Sequence, residues 1–186
     1  PGNWDCNVAD LGNINMGNTV NDTFFAVAST VEFLLKKNVI PIIIGGSQDI
    51  TYANYRSYDK IKSMINIVNI DKSFDLGDSS KPITNTNYVG KIILEKPYNL
   101  YNYSVVGFQT YYNSQEEIDL MDKLYFEFYR LGEVNRDIKF VEPILRDADL
   151  VSIDLNCIKS SELRSNKTFS PNLFDSREIC AISRYA

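Results

Sequence analysis

Three short runs of apolar, mostly β-branched residues recur along the chain, separated by segments with helical periodicity. The runs occupy residues 39–44 (VIPIII), 65–70 (INIVNI) and 150–155 (LVSIDL). Continuous apolar runs of this length are typical of strands that are buried on both faces. Their alternation with helices predicts a three-layer α/β/α fold with a mainly parallel sheet. The 186 residues fit a single domain, which we assign to residues 1–186.

Weaker patterns predict the remaining elements. Helices are expected at residues 21–37 (with Asn21 or Asp22 as the cap), 49–61, 115–131 and 142–148. Further strands are expected at residues 8–14, 92–94 and 104–108, and a surface loop at residues 75–87. Asp175 and Glu178 have the spacing of a capping box, which predicts a last helix continuing to Ala186. Since the chain starts at Pro1 and stops within this predicted helix, we expect a partial domain, truncated at both ends.

Composition excludes several classes of protein. The 24 acidic and 19 basic residues give a net charge of −5, which disfavours nucleic acid and anionic membrane surfaces as partners. The apolar runs are too short to span a bilayer. The chain has no histidine, which excludes Ser-His, Cys-His and His-metal mechanisms within it. Cys6, Cys157 and Cys180 are widely spaced, so we interpret them as buried small hydrophobes in a cytoplasmic protein.

Acidic and amide side chains follow the predicted buried strands. Asp71 and Asp75 come after the second run, and Asp154 and Asn156 lie at the end of the third. The carboxyl ends of parallel strands meet at one edge of a sheet, so these groups should converge there. Clustered carboxylates repel one another unless a cation lies between them. The residues alone therefore predict either a metal ion or pairing with a basic side chain such as Lys72.

Four segments resemble, in this order, the signature motifs of the ureohydrolase family, which includes arginase, agmatinase and formimidoylglutamase. They are GGSQD at residues 45–49, DKSFD at 71–75, SIDLNCIKS at 152–160 and PNLFDSRE at 171–178. The chain looks most like a divergent, formimidoylglutamase-like branch. The resemblance implies an arginase-like fold and hydrolysis of a C–N bond in a linear amidine or guanidine. In that chemistry two Mn²⁺ ions share a bridging hydroxide.

The same resemblance implies which positions would hold the metals, and half of them have lost their usual ligand. Neutral side chains stand at two histidine positions, Gln48 and Ser73, and at one aspartate position, Asn156. Such oxygens are weak ligands for Mn²⁺, so we expect no two-ion centre. The aspartates that remain are Asp71, Asp75 and Asp154. Weak binding of a single Mn²⁺, Mg²⁺ or Ca²⁺ to these three residues remains an alternative. Glu178 is a candidate substrate contact, with a helix cap as its alternative role.

These observations leave three hypotheses. The first, which we favour, is a family fold that has lost its metal chemistry and serves a structural, regulatory or ligand-binding role. Its partners would be a second copy, another protein or a small guanidino or formimino ligand. The second is a hydrolase with one residual ion that acts on a formimidoylglutamate- or agmatine-like substrate. The third is an anion or nucleotide site at the backbone amides after Gly45 and Gly46, which the nearby aspartates disfavour.

Overall fold

Four parallel strands form the sheet of the protein, as seen in a computed structural model that describes residues 6–61, 64–163 and 170–186. The strands are β1 (Ile65–Ile70), β2 (Leu100–Phe108), β3 (Glu127–Arg130) and β4 (Leu150–Ile153). Their order across the sheet is β3-β2-β1-β4. In the register of β1, Ile67 lies opposite Tyr103 of β2 and Leu150 of β4. The mainly parallel sheet predicted from the sequence is confirmed.

Helices cover both faces of this sheet. They are α1 (Val20–Leu35), α2 (Ile50–Arg56), α3 (Tyr88–Leu94), α4 (Gln115–Lys123), α5 (Leu131–Val134), α6 (Glu142–Arg146) and α7 (Ser176–Ile182). Helices α2, α3 and α4 contribute to one core cluster, and α5, α6 and α7 to a second on the opposite face. Helix α1 packs outside α2. The three layers are therefore as predicted. None of the helices in the described ranges combines the length and apolar character that a membrane span needs.

The central strand β1 has buried apolar side chains on both of its faces, so helices must pack on both faces of the sheet. Ile65 and Ile67 point into the cluster with α3 and α4, and Val68 and Ile70 point into the cluster with α7. Asn69 is also buried, and its side-chain amide donates hydrogen bonds to the hydroxyl groups of Tyr88 and Tyr103. A buried amide is stable only when it is hydrogen-bonded, so these tyrosines make the polar residue acceptable within an apolar strand.

Capping boxes define the starts of three helices. Thr19 caps α1, because its hydroxyl accepts from the Asp22 amide at 3.2 Å while the Asp22 carboxylate accepts from the Thr19 amide at 2.9 Å. Helix α1 thus begins slightly before the predicted position. Ser114 caps α4 in the same way, and Asp175 caps α7 as the sequence predicted. Helix α7 ends at Ile182, so the prediction that it continues to Ala186 is wrong.

The most apolar run of the sequence does not form a buried strand. Residues 39–44 have no regular secondary structure, and Ile40, Ile42 and Ile44 are 87%, 82% and 93% exposed. The physical reason is that the sheet ends at β4, and no strand among the described residues pairs with this run. The strand predicted at residues 8–14 is also absent, and these residues have no regular secondary structure.

Two further element predictions are wrong in type or length. The predicted strand at residues 92–94 belongs to helix α3, whose Tyr88, Val89 and Ile92 recur at helical spacing and are buried together. The helix predicted at residues 115–131 ends at Lys123, because the chain turns at Tyr125, whose φ is +57°. The following residues form β3 and pair with β2.

The remaining predictions hold with shorter bounds or in part. Helix α2 ends at Arg56 and is followed by turns, and α6 lies within its predicted range. Strand β2 contains the predicted residues 104–108, and residues 75–87 form the expected loop. The cysteine interpretation is correct for the buried Cys157 and wrong for Cys6 and Cys180, which are exposed.

The end of α4 can be tested by two truncations. Met121 is fully buried, whereas Tyr125 is 90% exposed beyond the helix end. Met121→Ala should lower the free energy of unfolding by about 2–4 kcal/mol, because it leaves a cavity in the core. Tyr125→Ala should change it by less than about 0.5 kcal/mol. Urea unfolding followed by circular dichroism measures both, and equal losses would contradict the placement of these side chains.

Candidate functional site

The carboxyl ends of two neighbouring strands bring the predicted acidic residues together. Strand β1 pairs with β4 through Ile70 and Ile153, and each strand is followed directly by an aspartate, Asp71 or Asp154. The backbone fixes both positions, since the Asp154 amide donates to the Ile70 carbonyl and the Asp71 amide to the Val106 carbonyl, both at 3.1 Å. The pairing register of β1 and β4 therefore determines where Asp71 and Asp154 lie.

Asp71 forms the floor of the site and is fully buried. Its Oδ1 accepts hydrogen bonds from the backbone amides of Lys72 at 2.6 Å and Ser73 at 3.3 Å. Its Oδ2 has no hydrogen-bond donor among the described residues. Burial, and after it the charge of Asp154, raises the pKa of Asp71 to about 6. The environment thus disfavours the ionised form of this carboxyl group.

Asp75 completes a carboxyl pair with Asp71. It is buried, it has a φ of +55°, and its Oδ1 accepts from the Ser73 hydroxyl at 2.8 Å. The carboxyl groups of Asp71 and Asp75 lie within hydrogen-bond reach of each other, and burial followed by the Asp71 charge raises the pKa of Asp75 well above its usual range. Burial and the neighbouring negative charge therefore favour the protonated form of Asp75.

Asp154 is bonded to its own neighbour along the chain. Its Oδ1 accepts from the Asn156 backbone amide at 2.9 Å and from the Asn156 side-chain amide at 3.0 Å. Its Oδ2 accepts from the same side-chain amide at 3.2 Å. Asp154 is the N-terminal residue of a 3-10 turn over Leu155–Cys157, and the Asn156 contacts close that turn. Both carboxylate oxygens are thus hydrogen-bonded locally.

The positions that would carry the lost metal ligands face the remaining aspartates. The Ser73 hydroxyl bonds Asp75, and the Asn156 amide bonds Asp154. The Gln48 side chain lies close enough to Asp71 to favour its ionised form, although Gln48 Nε2 is buried without a well-oriented hydrogen bond to any described residue. All six positions therefore gather at one edge, including Gln48, although the strand predicted before it is absent.

These side chains do not fit a two-ion metal centre. Within the described part of the chain, no three histidine, cysteine, aspartate or glutamate side chains are arranged to hold an ion. The reason is local: Asn156 donates hydrogen bonds to both carboxylate oxygens of Asp154, and burial disfavours the ionised forms of Asp71 and Asp75. Gln48, Ser73 and Asn156 supply neutral groups where charged or imidazole ligands would be needed. No hydrolytic step through such a centre follows from this geometry.

Glu178 and the nearby lysines are committed to other contacts. The Glu178 carboxylate accepts from the Asp175 amide at 2.7 Å, and the Asp175 carboxylate accepts from the Glu178 amide at 2.8 Å. This is the helix cap considered as its alternative role, and a substrate contact stays a prediction. Lys159 lies 3.9 Å from Asp175. Lys72 lies over the Tyr112 ring, 4.7 Å from its centroid, so it is not the ion-pair partner suggested for the aspartates.

Two residues that shape the site were missed in the sequence. Asn113 holds the 71–75 loop, because its Oδ1 accepts from the Phe74 amide at 2.8 Å and its Nδ2 donates to the Lys72 carbonyl at 3.1 Å. Gly107 has a φ of +100°, and a Cβ there would lie 2.3 Å from the Phe174 ring. Asparagine is common in this chain, so nothing distinguished Asn113, whereas Gly107 inside an apolar strand was a usable signal.

Comparison with known proteins gives a consistent result. The sequence profile of the arginase family matches residues 3–185. The formimidoylglutamase of Streptococcus gordonii is 27% identical over 168 residues, covering 81% of this chain and 50% of that protein. The crystal structure of Trypanosoma cruzi formiminoglutamase with Mn²⁺ superposes with a TM-score of 0.78 and 17% identity, covering 90% of this chain and 59% of that one.

A further solved structure is the quadruple mutant of a T. brucei arginase-like protein. It superposes with a TM-score of 0.71 and 17% identity, covering 94% of this chain and 55% of that one. Its substitutions replace three serines and one arginine by three aspartates and one histidine, and three of them fall at alternate positions. At such identities the structures establish the shared fold. The chain spans about half the length of the curated relatives it matches.

The raised pKa of Asp71 predicts a dependence of stability on pH. The ordinary pKa of this group is 3.8, and in the folded protein it is raised to about 6. The folded state therefore binds more protons at Asp71 than the unfolded state between these values, so the contribution of this group to stability is fully present below about pH 4 and is lost as pH rises through 6. The expected loss is about 3 kcal/mol. Urea unfolding measured from pH 4 to pH 8 tests this.

Asp71→Asn is the informative variant for this measurement, because it removes the titrating group while keeping its size. The fall in stability between pH 4 and pH 7 should shrink in this variant. Asp10→Asn changes an exposed loop carboxylate and should leave the wild-type profile intact. Equal pH profiles for the wild type and Asp71→Asn would contradict a raised pKa at Asp71.

Proposed function

Because the chain belongs to the arginase family, we propose that it is a formimidoylglutamase-like member whose two-ion manganese centre has been lost. Its role is then structural, regulatory or ligand-binding rather than hydrolytic. The formimidoylglutamase relatives support the branch. Of the six metal ligands that the resemblance implies, only Asp71, Asp75 and Asp154 remain. The missing three support the loss of the hydrolytic chemistry.

The single observation that carries this proposal is that residues at two positions of lost ligands donate hydrogen bonds to two of the remaining aspartates. Ser73 and Asn156, which stand at positions of lost ligands, donate their hydrogen bonds to Asp75 and Asp154. Asp71 is stabilised by backbone amides and by its contact with Asp75. A group that is already hydrogen-bonded gains less from a metal ion, because those bonds must first be broken.

Charge balance supports the same proposal. Two divalent ions bring four positive charges, and three carboxylates with neutral amide and hydroxyl neighbours compensate at most three of them. The compensation is smaller still because burial favours the protonated form of Asp75. Uncompensated charge in a buried site is costly, so a second ion is strongly disfavoured. A bridging hydroxide needs two neighbouring ions, so it would not form at this site.

The proposed role includes a ligand or partner of matching chemistry. Asp154 is partly exposed at the site edge, where a carboxylate favours a cation such as a small guanidino or formimino compound. Self-association or binding of another protein is the alternative use of a fold without turnover. We further propose that the protein works in the cytoplasm, where its three cysteines would stay reduced.

A second candidate function is a hydrolase with one residual ion. It is favoured by the buried Oδ2 atoms of Asp71 and Asp75, which have no hydrogen-bond donor within the described ranges. At high pH both carboxyl groups would be ionised, and a single Mn²⁺, Mg²⁺ or Ca²⁺ could bind between them. The substrate would be formimidoylglutamate or an agmatine-like compound, and turnover would be weak because one ion activates water poorly.

Metal content separates the two candidates. The full-length protein should be exposed to Mn²⁺, freed of unbound ions, and analysed by mass spectrometry for metal per chain. We expect far less than one ion, with no formimidoylglutamate or agmatine hydrolysis above the background rate. One ion per chain that disappears in Asp71→Ala, together with metal-dependent hydrolysis, would overturn the first proposal in favour of the second.

A matched variant shows that the assay can detect a restored site. Gln48→His, Ser73→His and Asn156→Asp together return the ligand types that the resemblance implies. The triple variant should bind Mn²⁺ at least about 100-fold more tightly than the wild type, since each strong ligand adds roughly a factor of ten or more. If wild type and triple variant bind Mn²⁺ equally well, these substitutions are not what determines metal binding.

A further inference from the structure

A cavity of about 530 Å³ lies between helices α1, α2 and α3. The first turn of α1 lines one side of it, Tyr52 of α2 lines a second, and Lys91 and Glu95 at the end of α3 line a third. Its volume is in the range of cavities that bind small molecules. It shares no lining residue with the candidate site at the edge of the sheet, so the function proposed for that site does not account for it.

Apolar side chains form one part of the cavity wall. Phe24 of α1 is almost completely buried, and its ring lies 6.0 Å from the ring of Tyr52 in a tilted arrangement. Ile83, in the loop before α3, packs against the same cluster of residues. This part of the wall therefore accommodates an aliphatic or aromatic group, which gains from being removed from water.

Lys91 supplies a cation whose hydrogen bonds are not used by the protein. Its side chain is only 19% exposed, and its Nζ lies 3.7 Å from Glu95 Oε1, which is longer than a hydrogen bond. Within the described part of the chain, the Lys91 ammonium donates no hydrogen bond to any acceptor. An ammonium group has three donors, and a largely buried one is costly unless acceptors surround it. An anionic group in the cavity would provide them.

Glu95 has one oxygen that is bonded and one that is not. Its Oε2 accepts a hydrogen bond from the Tyr52 hydroxyl. Burial, and after it this bond, raises the pKa of Tyr52, so the hydroxyl keeps its proton and remains the donor. The Oε1 atom accepts no hydrogen bond from the residues that the structure describes, although Lys91 lies near it. A cationic donor in the cavity would complete the bonding of this carboxylate.

The first turn of α1 contributes further donors. The capping box uses the backbone amides of Thr19 and Asp22. The amides of Val20 and Asn21 belong to the first turn, where an α-helix has no internal partner for them, and both residues line the cavity. The N-terminal end of a helix also carries a partial positive charge. This end of α1 therefore favours the same anionic group as Lys91.

We propose that this cavity binds an α-amino acid with an apolar side chain. Its carboxylate contacts Lys91 and the first turn of α1, and its ammonium group contacts Glu95. Its side chain packs against Phe24, Tyr52 and Ile83. A zwitterion matches the cavity because it brings both charges at once, whereas a carboxylate alone would face Glu95 unpaired and an amine alone would face Lys91 unpaired.

Titration calorimetry of the full-length protein tests the ligand class. L-leucine and L-phenylalanine are the probes, and we expect at least one of them to bind with a Kd at or below about 1 mM. Two analogues of leucine each lack one charged group: 4-methylpentanoate has no amine, and 3-methylbutylamine has no carboxylate. Each should bind at least about 10-fold more weakly than leucine, because one charge-assisted contact is lost. No binding of either amino acid, or equal binding of an analogue, would overturn the proposal.

Charge-neutralising variants test the assigned contacts. Lys91→Gln and Glu95→Gln should each raise the Kd by at least about 10-fold. Lys36→Gln is the matched control, since Lys36 also pairs with a glutamate four residues away but lies at the far end of α1, outside the cavity. It should change the Kd by less than about two-fold. Wild-type affinity in both Lys91→Gln and Glu95→Gln would contradict the proposal.

A steric pair of variants tests the location without altering charge. Val20→Trp places a large ring in the cavity wall at a position that is 57% exposed, and it should raise the Kd by at least about 10-fold. Phe25→Trp, at a 72% exposed position of α1 that does not line the cavity, should leave the Kd unchanged. Equal affinity of the two variants would overturn the proposal.

Asp154→Asn separates this cavity from the candidate site at the sheet edge, whose carboxylate also favours a cation. Amino acid binding should be unaffected by this variant, because Asp154 does not line the cavity. Binding that is lost in Asp154→Asn and kept in Glu95→Gln would assign the ligand to the sheet edge and overturn the proposal. The metal content of the protein has no bearing on this result, so the proposal and the proposed function can fail separately.

Discussion

The parallel pairing of β1 with strands on both of its sides is the constraint on which the rest of the structure depends. Its residues pack against helices above and below, so both helical layers are fixed relative to this one strand. Its last residue, Ile70, lies opposite Ile153 of β4, and this register brings Asp71 and Asp154 together. Shifting the register by one residue would turn Asp71 to the other face and dissolve the site.

The sequence predicted the elements whose local patterns and tertiary contacts agree. Strand β1 and the start of α7 are examples. The apolar run of β1 favours a buried strand, and the capping box favours a helix start at Asp175. Residues 92–94 were assigned wrongly, since three apolar residues in a row fit either a strand or the buried side of a helix. Residues 39–44 show the opposite case, in which a clear strand pattern lacks the neighbour that a strand requires.

The candidate site likewise combines features that the sequence predicted with contacts that depend on how the side chains pack. The sequence placed Asp71, Asp75 and Asp154 at one edge, because strand ends converge there. It did not predict that Ser73 and Asn156 would donate hydrogen bonds to them, or that Lys72 would lie over Tyr112. Those contacts depend on side-chain geometry, and the hydrogen bonds from Ser73 and Asn156 satisfy part of the site while the Oδ2 atoms of Asp71 and Asp75 stay without a donor among the described residues.

Gly107 lies between Asp71, the floor of the site, and Phe174, which precedes α7. The space that a side chain would need is occupied by the Phe174 ring on one side and approached by the Asp71 carbonyl on the other. Phe174 is bonded through its backbone to Cys157 and Lys159, and it directly precedes the cap of α7. A side chain at residue 107 would therefore collide with the Phe174 ring and crowd the Asp71 carbonyl, so one substitution would disturb the approach to α7 and the floor of the site together.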